Sequence, residues 1–231
     1  MKKLVVFSGA GISAESGLKT FRDSDGLWEN YNVMDVATPE AWESNPELVL
    51  EFYNKRRAQA LKAQPNAAHK AIAELESHFD VNIITQNIDD LHERAGSTKI
   101  LHLHGEITKS RSTGNQNVLY HIHTKELKIG DLCENGFQLR PHVVWFGEDV
   151  PNMSKAFEII KKANIVIIVG TSLMVHPAAS LIHYAKRIAP KYLIDPQFVD
   201  TRKIENICFI QKKASEGIPT LAKEIIEKYA N

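Results

Sequence analysis

Short apolar runs rich in β-branched residues alternate with helical patterns along this chain. Candidate strands are Leu4–Phe7, Val81–Thr85, His142–Phe146, Ile165–Gly170, Lys191–Asp195 and Ile207–Ile210. None shows a clean polar/apolar alternation, as expected of strands covered on both faces. Candidate helices are Pro46–Ala63, Ala67–His78, Ser154–Lys162, Pro177–Ile188 and Ile218–Tyr229. Strand–helix alternation of this kind predicts a doubly wound α/β fold with a parallel sheet and right-handed crossovers. Two stretches interrupt it. Residues from about 21 to 64 hold a polar loop and then helices, and residues from about 108 to 139 are polar and weakly patterned. They predict a small second module formed by two insertions, about 31–64 and 109–139, on a large part spanning about 1–30, 65–108 and 140–231. No repeat, heptad or low-complexity tract is present.

Charge changes little in this picture. The chain has 231 residues, with 28 basic and 28 acidic side chains. A balanced chain gives no electrostatic case for nucleic acid or an anionic membrane as partner. Its two cysteines, Cys133 and Cys208, form no CxxC pair and no disulfide framework, so a reducing cytoplasm is the expected setting. The apolar run Leu4–Phe7 falls short of the roughly 7–15 residues of a signal core. The run Ile165–Val169 is far below the ~20 residues of a membrane span.

Candidate chemistry begins at the end of the first strand. Gly9-Ala10-Gly11-Ile12-Ser13-Ala14 follows it directly. Glycines there permit a tight turn and close backbone approach to a pyrophosphate, and a helix N-terminus beyond would add amide dipoles. A dehydrogenase would carry an isolated acid at the end of the next strand. Here that strand runs into Thr85-Gln86-Asn87-Ile88-Asp89, which speaks against hydride transfer.

Several motifs then line up in order. Gly9-Ala10-Gly11-Ile12-Ser13-Ala14-Glu15-Ser16-Gly17 continues to Thr20-Phe21-Arg22. Thr85-Gln86-Asn87-Ile88-Asp89-Asp90-Leu91-His92 and Leu103-His104-Gly105 follow. Arg140-Pro141-His142-Val143-Val144-Trp145-Phe146-Gly147-Glu148 and Gly170-Thr171-Ser172-Leu173-Met174-Val175-His176-Pro177 complete the set. Together they resemble the sirtuin family of NAD-dependent protein lysine deacylases, over most of the chain. The resemblance implies a Rossmann-type large domain, a small domain from two insertions, and NAD as a consumed co-substrate. It places Gly9, Ala10, Gly11, Glu15, Thr20, Phe21 and Arg22 in the cofactor loop. Gln86, Asn87 and Asp89 fall in the ribose and nicotinamide pocket, and Gly170, Thr171 and Ser172 at phosphate and ribose. Asp195 stands where the family usually carries Asn, and Ala214 matches an adenine-capping position.

In the family's mechanism the acyl-lysine oxygen attacks the ribose carbon as nicotinamide leaves, and a base then activates a ribose hydroxyl. Histidine suits that task, with an unperturbed pKa of ~6.5. The motif assigns His104 as the base and leaves His102 a structural or supporting histidine. If the segment is extended, both rings point to one side. Asn87 and Asp89 would bind the nicotinamide carboxamide; the plain alternative is an Asx turn after a strand. Val144, Trp145, Phe146 and Gly147 would pair with an extended peptide by strand addition. Tyr53 and Arg56, at i and i+3 of a predicted helix, share a face and could clamp a carboxylate. In sirtuins that pair marks a preference for succinyl-, malonyl- or glutaryl-lysine; the alternative is a solvated basic face.

One expected part is missing. Most sirtuins hold a structural zinc through two pairs of cysteines. Ser110 and Ser112 stand where the first pair would begin, and only Cys133 remains, with His121 and His123 nearby at no standard spacing. No zinc is expected. The leading expectation is therefore an NAD-dependent deacylase acting on acyl-lysine proteins or peptides. A protein ADP-ribosyltransferase and a non-catalytic NAD-binding module are the alternatives.

Overall fold

The computed structural model describes residues 1–19, 27–28, 31–115, 117–122 and 126–230. Thr20, Phe21, Arg22 and His123 lie outside the described residues. The chain begins with β1 (Lys3–Ser8), a one-turn α1 (Gly11–Ala14), β2 (Leu27–Trp28) and β3 (Tyr31–Asn32). Helices α2 (Val33–Val36), α3 (Pro39–Ser44), α4 (Pro46–Lys62) and α5 (Ala67–Glu74) come next. Then follow β4 (Asp80–Thr85), α6 (Leu91–Arg94), β5 (Ile100–His102), β6 (Gly105–Ser112), β7 (Leu119–His121) and β8 (Leu139–Val143). The remainder is α7 (Met153–Ile160), β9 (Ile165–Val169), a 3-10 helix (Ala178–Tyr184), β10 (Lys191–Ile194), β11 (Ile207–Ile210) and α8 (Ala214–Tyr229).

Six strands form one parallel sheet in the order β11-β10-β9-β1-β4-β5. Its inner strands are apolar on both sides because both sides are covered. Leu4 and Val6 pack with α5 and α8 through Ile72, Ile218 and Leu221. Val5 and Phe7 pack oppositely, on Ala156, Ile160, Leu181 and Ile182. All five residues of β9 are buried, which is why its sequence shows no alternation.

The chain runs from β1 outward to β4 and β5, then returns to the other side of β1 with β9. That reversal opens a crevice beyond the carboxyl ends of β1 and β9, the usual ligand position in such sheets. The excursions form the second module. Strands β7-β6-β8 make a three-stranded antiparallel sheet. It shares a core with the helices of the first excursion: Val49, Phe52, Tyr53 and Ala60 pack with Ile107, Val143 and Trp145.

Several elements differ from the pattern-based expectation: the expected helix Pro177–Ile188 is a 3-10 helix over Ala178–Tyr184, and β5 joins the parallel sheet without having been expected. The run His142–Phe146 is not a strand of the parallel sheet. Its first residues end β8 in the small sheet, and Trp145–Glu148 is a turn closed by Glu148 N–H to Trp145 O at 3.1 Å. The small sheet spans Gly105 to Val143, wider than 109–139. Helix α8 starts at Ala214, a turn before the expected Ile218, although Pro219 then lies inside it. Glu15 supplies the reason: its carboxylate accepts the Ser215 backbone N–H at 3.0 Å and its hydroxyl at 2.7 Å.

Candidate active site

The glycines after β1 are there for the approach of two loops. Gly9 N–H donates to Val169 O and Gly11 N–H to Gly170 O, at 3.0 and 2.8 Å. A Cβ on Gly9 would stand 2.8 Å from Gly170 O, and one on Gly11 2.7 Å from Gly170 Cα. Gly170 itself has φ +63°, and a Cβ there would lie 2.2 Å from Ile12 N. The two strand-end loops thus lock into one another at the switch point. Helix α1 is one turn long, so its dipole is small, and the amide-dipole expectation is corrected accordingly.

Above these loops lies a cavity of about 350 Å³, within the size range of small-molecule sites. It gathers most of the residues singled out from sequence. Its lining includes Gly9, Ala10, Gly11, Gly170, Thr171, Ser172 and Asp195, Gln86, Asn87, Asp89 and His104, and Tyr53, Arg56, Val144, Trp145, Phe146 and Gly147. Glu15 and Ala214 are not in its wall. Glu15 is spent on the start of α8, and Ala214 is that helix's buried first residue. The volume, the glycine-closed floor and a few polar side chains set in a mostly apolar lining fit a nucleotide.

The two histidines separate clearly. His104 Nδ1 donates to Gln86 O at 3.0 Å, so its lone pair belongs to Nε2. Burial pushes its pKa below the ordinary histidine value, with the Gln86 carbonyl opposing in part. Its own carbonyl accepts the Val144 N–H at 2.9 Å. Gly105 follows at φ +84°, where a Cβ would meet His142 O at 2.1 Å, so only glycine lets β6 leave this histidine beside β8. His102, by contrast, donates Nδ1 to Asn87 O and Nε2 to Glu93 Oε1, both at 2.8 Å. Burial disfavours its charge, but Glu93 and the Asn87 carbonyl outweigh that and raise its pKa. The extended stretch ends at His102, and the two rings line different cavities. Both ring nitrogens of His102 face acceptors, so that ring has no lone pair to offer; His104 keeps one on Nε2.

Asn87 and Asp89 are 6% and 8% exposed. Asp89 Oδ1 accepts the Leu91 N–H at 3.2 Å, which is an Asx turn, while Oδ2 accepts from Ser13 Oγ at 3.0 Å. Ser13 Oγ in turn accepts from Asn87 Nδ2 at 3.2 Å. Burial raises the Asp89 pKa against those donors. Ser13 therefore joins both side chains, and sequence reasoning missed it; its signal was a lone hydroxyl inside the glycine loop. Thr85 Oγ1, held by Ser8 at 2.9 Å, fixes the Asn87 N–H at 3.1 Å. Thr171 Oγ1 donates to Gln86 Oε1 at 3.1 Å, tying the β9 loop to the β4 loop.

On the far side, Tyr53 is 1% exposed, and burial pushes its phenol up, keeping it a hydrogen-bond donor. Phe146 N–H donates to Ala37 O at 3.0 Å and Trp145 N–H to Glu148 Oε2 at 2.8 Å. The backbone N–H groups of Trp145, Phe146 and Glu148 are thus satisfied internally, and β8 pairs only with β6 among the described residues. In the small sheet, Ser112 Oγ sits 3.3 Å from Cys133 Sγ and accepts the Gly114 N–H at 3.1 Å. Among the described residues no group of three His, Cys, Asp or Glu side chains is placed to hold a metal.

Known proteins resemble this chain over nearly its whole length. The Sir2 family profile matches residues 9–177. An "NAD-dependent protein deacylase" of Helicobacter pylori is 53% identical over 227 residues, covering 98% of this chain and 99% of that protein. One of Bacteroides thetaiotaomicron is 52% identical over 231 residues, covering 98% and 99%. Among solved structures, a Sir2 homolog–NAD complex superposes with TM-score 0.88 at 40% identity, covering 100% of this chain and 91% of that one. A Sir2 complex with a deacetylated p53 peptide and 3′-O-acetyl ADP-ribose superposes with TM-score 0.81 at 28% identity, covering 98% and 93%. The chain belongs to the Sir2 family.

Proposed function

We propose that this protein uses NAD to remove acyl groups ending in a carboxylate, such as succinyl and malonyl, from lysine side chains, with His104 as general base. NAD-dependent protein deacylation itself follows from family membership and from relatives of that name at 52–53% identity. NAD supplies an activated ribose carbon, and the products are nicotinamide, O-acyl-ADP-ribose and free lysine. Asn87 and Asp89, braced by Ser13, hold the carboxamide of the nicotinamide. His104 Nε2 takes the proton of a ribose hydroxyl, its Nδ1 fixed on Gln86. Val144 to Gly147 border the peptide, and the extended substrate segment lies along them.

The observation that carries the acyl assignment is that Tyr53 and Arg56 line the same cavity as His104. A buried phenol and a guanidinium on one helix face suit a terminal carboxylate and do nothing for an acetyl methyl. The test mixes protein, NAD and matched acetyl- and succinyl-lysine peptides, and follows nicotinamide and deacylated peptide. Arg56→Met should lose desuccinylation by about 10- to 100-fold more than deacetylation. Equal loss of both activities removes the clamp. Nicotinamide release with unchanged peptide would point instead to ADP-ribosyl transfer, and no release at all to a binding module.

A further inference from the structure

Behind the Trp145–Glu148 turn lies an ionic cluster with unequal charges. Arg111 Nη2 reaches Glu148 Oε2 at 3.1 Å, and Arg140 Nη2 reaches Glu148 Oε1 at 2.8 Å. Both guanidiniums also donate to Val143 O at 3.1 Å. Arg111 and Arg140 are 4% and 6% exposed. Among the described residues two buried cations therefore share one carboxylate, and the Nε of each has no acceptor. Burial and the Arg111 charge push Arg140 down to about 10 despite Glu148. A buried surplus charge of this kind is costly unless something neutralises it.

The surplus is not isolated from the cavity. Arg140 Cζ lies 3.5 Å over the Trp145 ring. Trp145 packs in one core with Tyr53, whose hydroxyl feels the charges of Arg140 and Arg56. Tyr53, Arg56, Trp145 and Glu148 all line the acyl end of the cavity. We propose that Arg140 is a specificity-determining positioning residue, whose uncompensated buried charge, held against the Trp145–Tyr53 wall, favours an anionic acyl group over a neutral one. An incoming carboxylate offsets that charge and an acetyl group does not, so the effect falls on the difference between the two substrates. This rests on the acidic-acyl reading above and extends it from the Tyr53–Arg56 pair to the layer behind.

The experiment compares Arg140→Met and Arg140→Lys in the full chain, with NAD and both acyl peptides. In Arg140→Met, Arg111 and Glu148 remain a one-to-one pair, so no carboxylate is stranded. The expected result is a KM for succinyl-peptide raised about tenfold, with deacetylation changed less than about threefold. Arg140→Lys keeps the charge and should keep most of the wild-type selectivity. If Met lowers both activities equally, or Lys loses as much selectivity as Met, the cluster is only structural and the proposal fails. Arg56→Met is run beside them. Should it leave the acyl preference unchanged, the acidic-acyl reading fails; should it alone shift the preference, that reading stands and the role of Arg140 is overturned. If Arg140→Met does not fold, Glu148→Gln carries the test: by enlarging the surplus it should raise the succinyl-to-acetyl ratio, and a fall in that ratio refutes the idea.

Discussion

At the scale of residues, the contrast between His102 and His104 shows what a sequence carries and what it leaves out. Two residues apart, they have the same side chain, and only the motif distinguished them. Their partners lie elsewhere: Gln86 for His104, and Asn87 with Glu93 for His102. Those partners leave His104 its lone pair on Nε2 and tie up both nitrogens of His102. Replacing His104 by Tyr should cut nicotinamide release and deacylation by about a thousandfold, while the melting temperature moves by no more than about 5 °C. Retained turnover in a folded variant would end the assignment. Asn87 and Asp89 were legible through the motif, yet Ser13, which bonds both, was not. A hydroxyl's partner across 74 or 76 residues leaves no local trace.

Elements were read most reliably where their own residues dictate them. Strand β9 announces itself because all of it is buried, and α4 and α5 through their helical pattern; the structure adds caps at Asn45 and Asn66, whose side-chain oxygens each accept a backbone N–H of the first turn. Elements that depend on distant partners were misread. The apolar run after Pro141 reads as a core strand but turns away at Val143, because the Glu148 carboxylate captures the Trp145 N–H. The first turn of α8 is likewise held by Glu15, 200 residues away. In the small sheet, Ser112 Oγ and Cys133 Sγ face one another, and the turn is closed by hydrogen bonds to the serine hydroxyl. Chelator should therefore leave the melting temperature unchanged. One zinc per chain by elemental analysis would overturn that expectation.

For the whole molecule, the doubly covered sheet buries titratable groups along with its apolar ones. Burial lowers His69 to about 4, and burial with the Arg111 charge lowers His142 to about 4. His92, also buried, falls well below the ordinary value. In the unfolded chain all three titrate near 6.5, so that chain takes up protons first as the pH drops. Their contribution is present in full above about pH 6.5 and is lost as the pH falls towards 4; for His69 the loss by pH 5 is on the order of 2 kcal/mol. His102 and Asp89, with raised values, act in the opposite sense but are fewer. Thermal melts should show the midpoint falling between pH 7 and pH 5; a flat or rising midpoint would contradict this account. No helix among the described residues is long and apolar enough to cross a membrane.

The interlock of Gly9 and Gly11 with Gly170 also bears on how the protein is made. Strand β1 leaves the ribosome first, but its neighbour β9 and the wedge at Gly170 follow some 160 residues later. Glu15 waits longer still, for Ser215. Until then the nucleotide floor has only one of its two sides, so NAD cannot act as a template for the growing chain. The early segment must persist with its central strand edge open, a slow, long-range closure of the kind that exposes a nascent chain to association. The nucleotide floor is therefore complete only once β9 has paired with β1 and Gly170 has closed on Gly9 and Gly11.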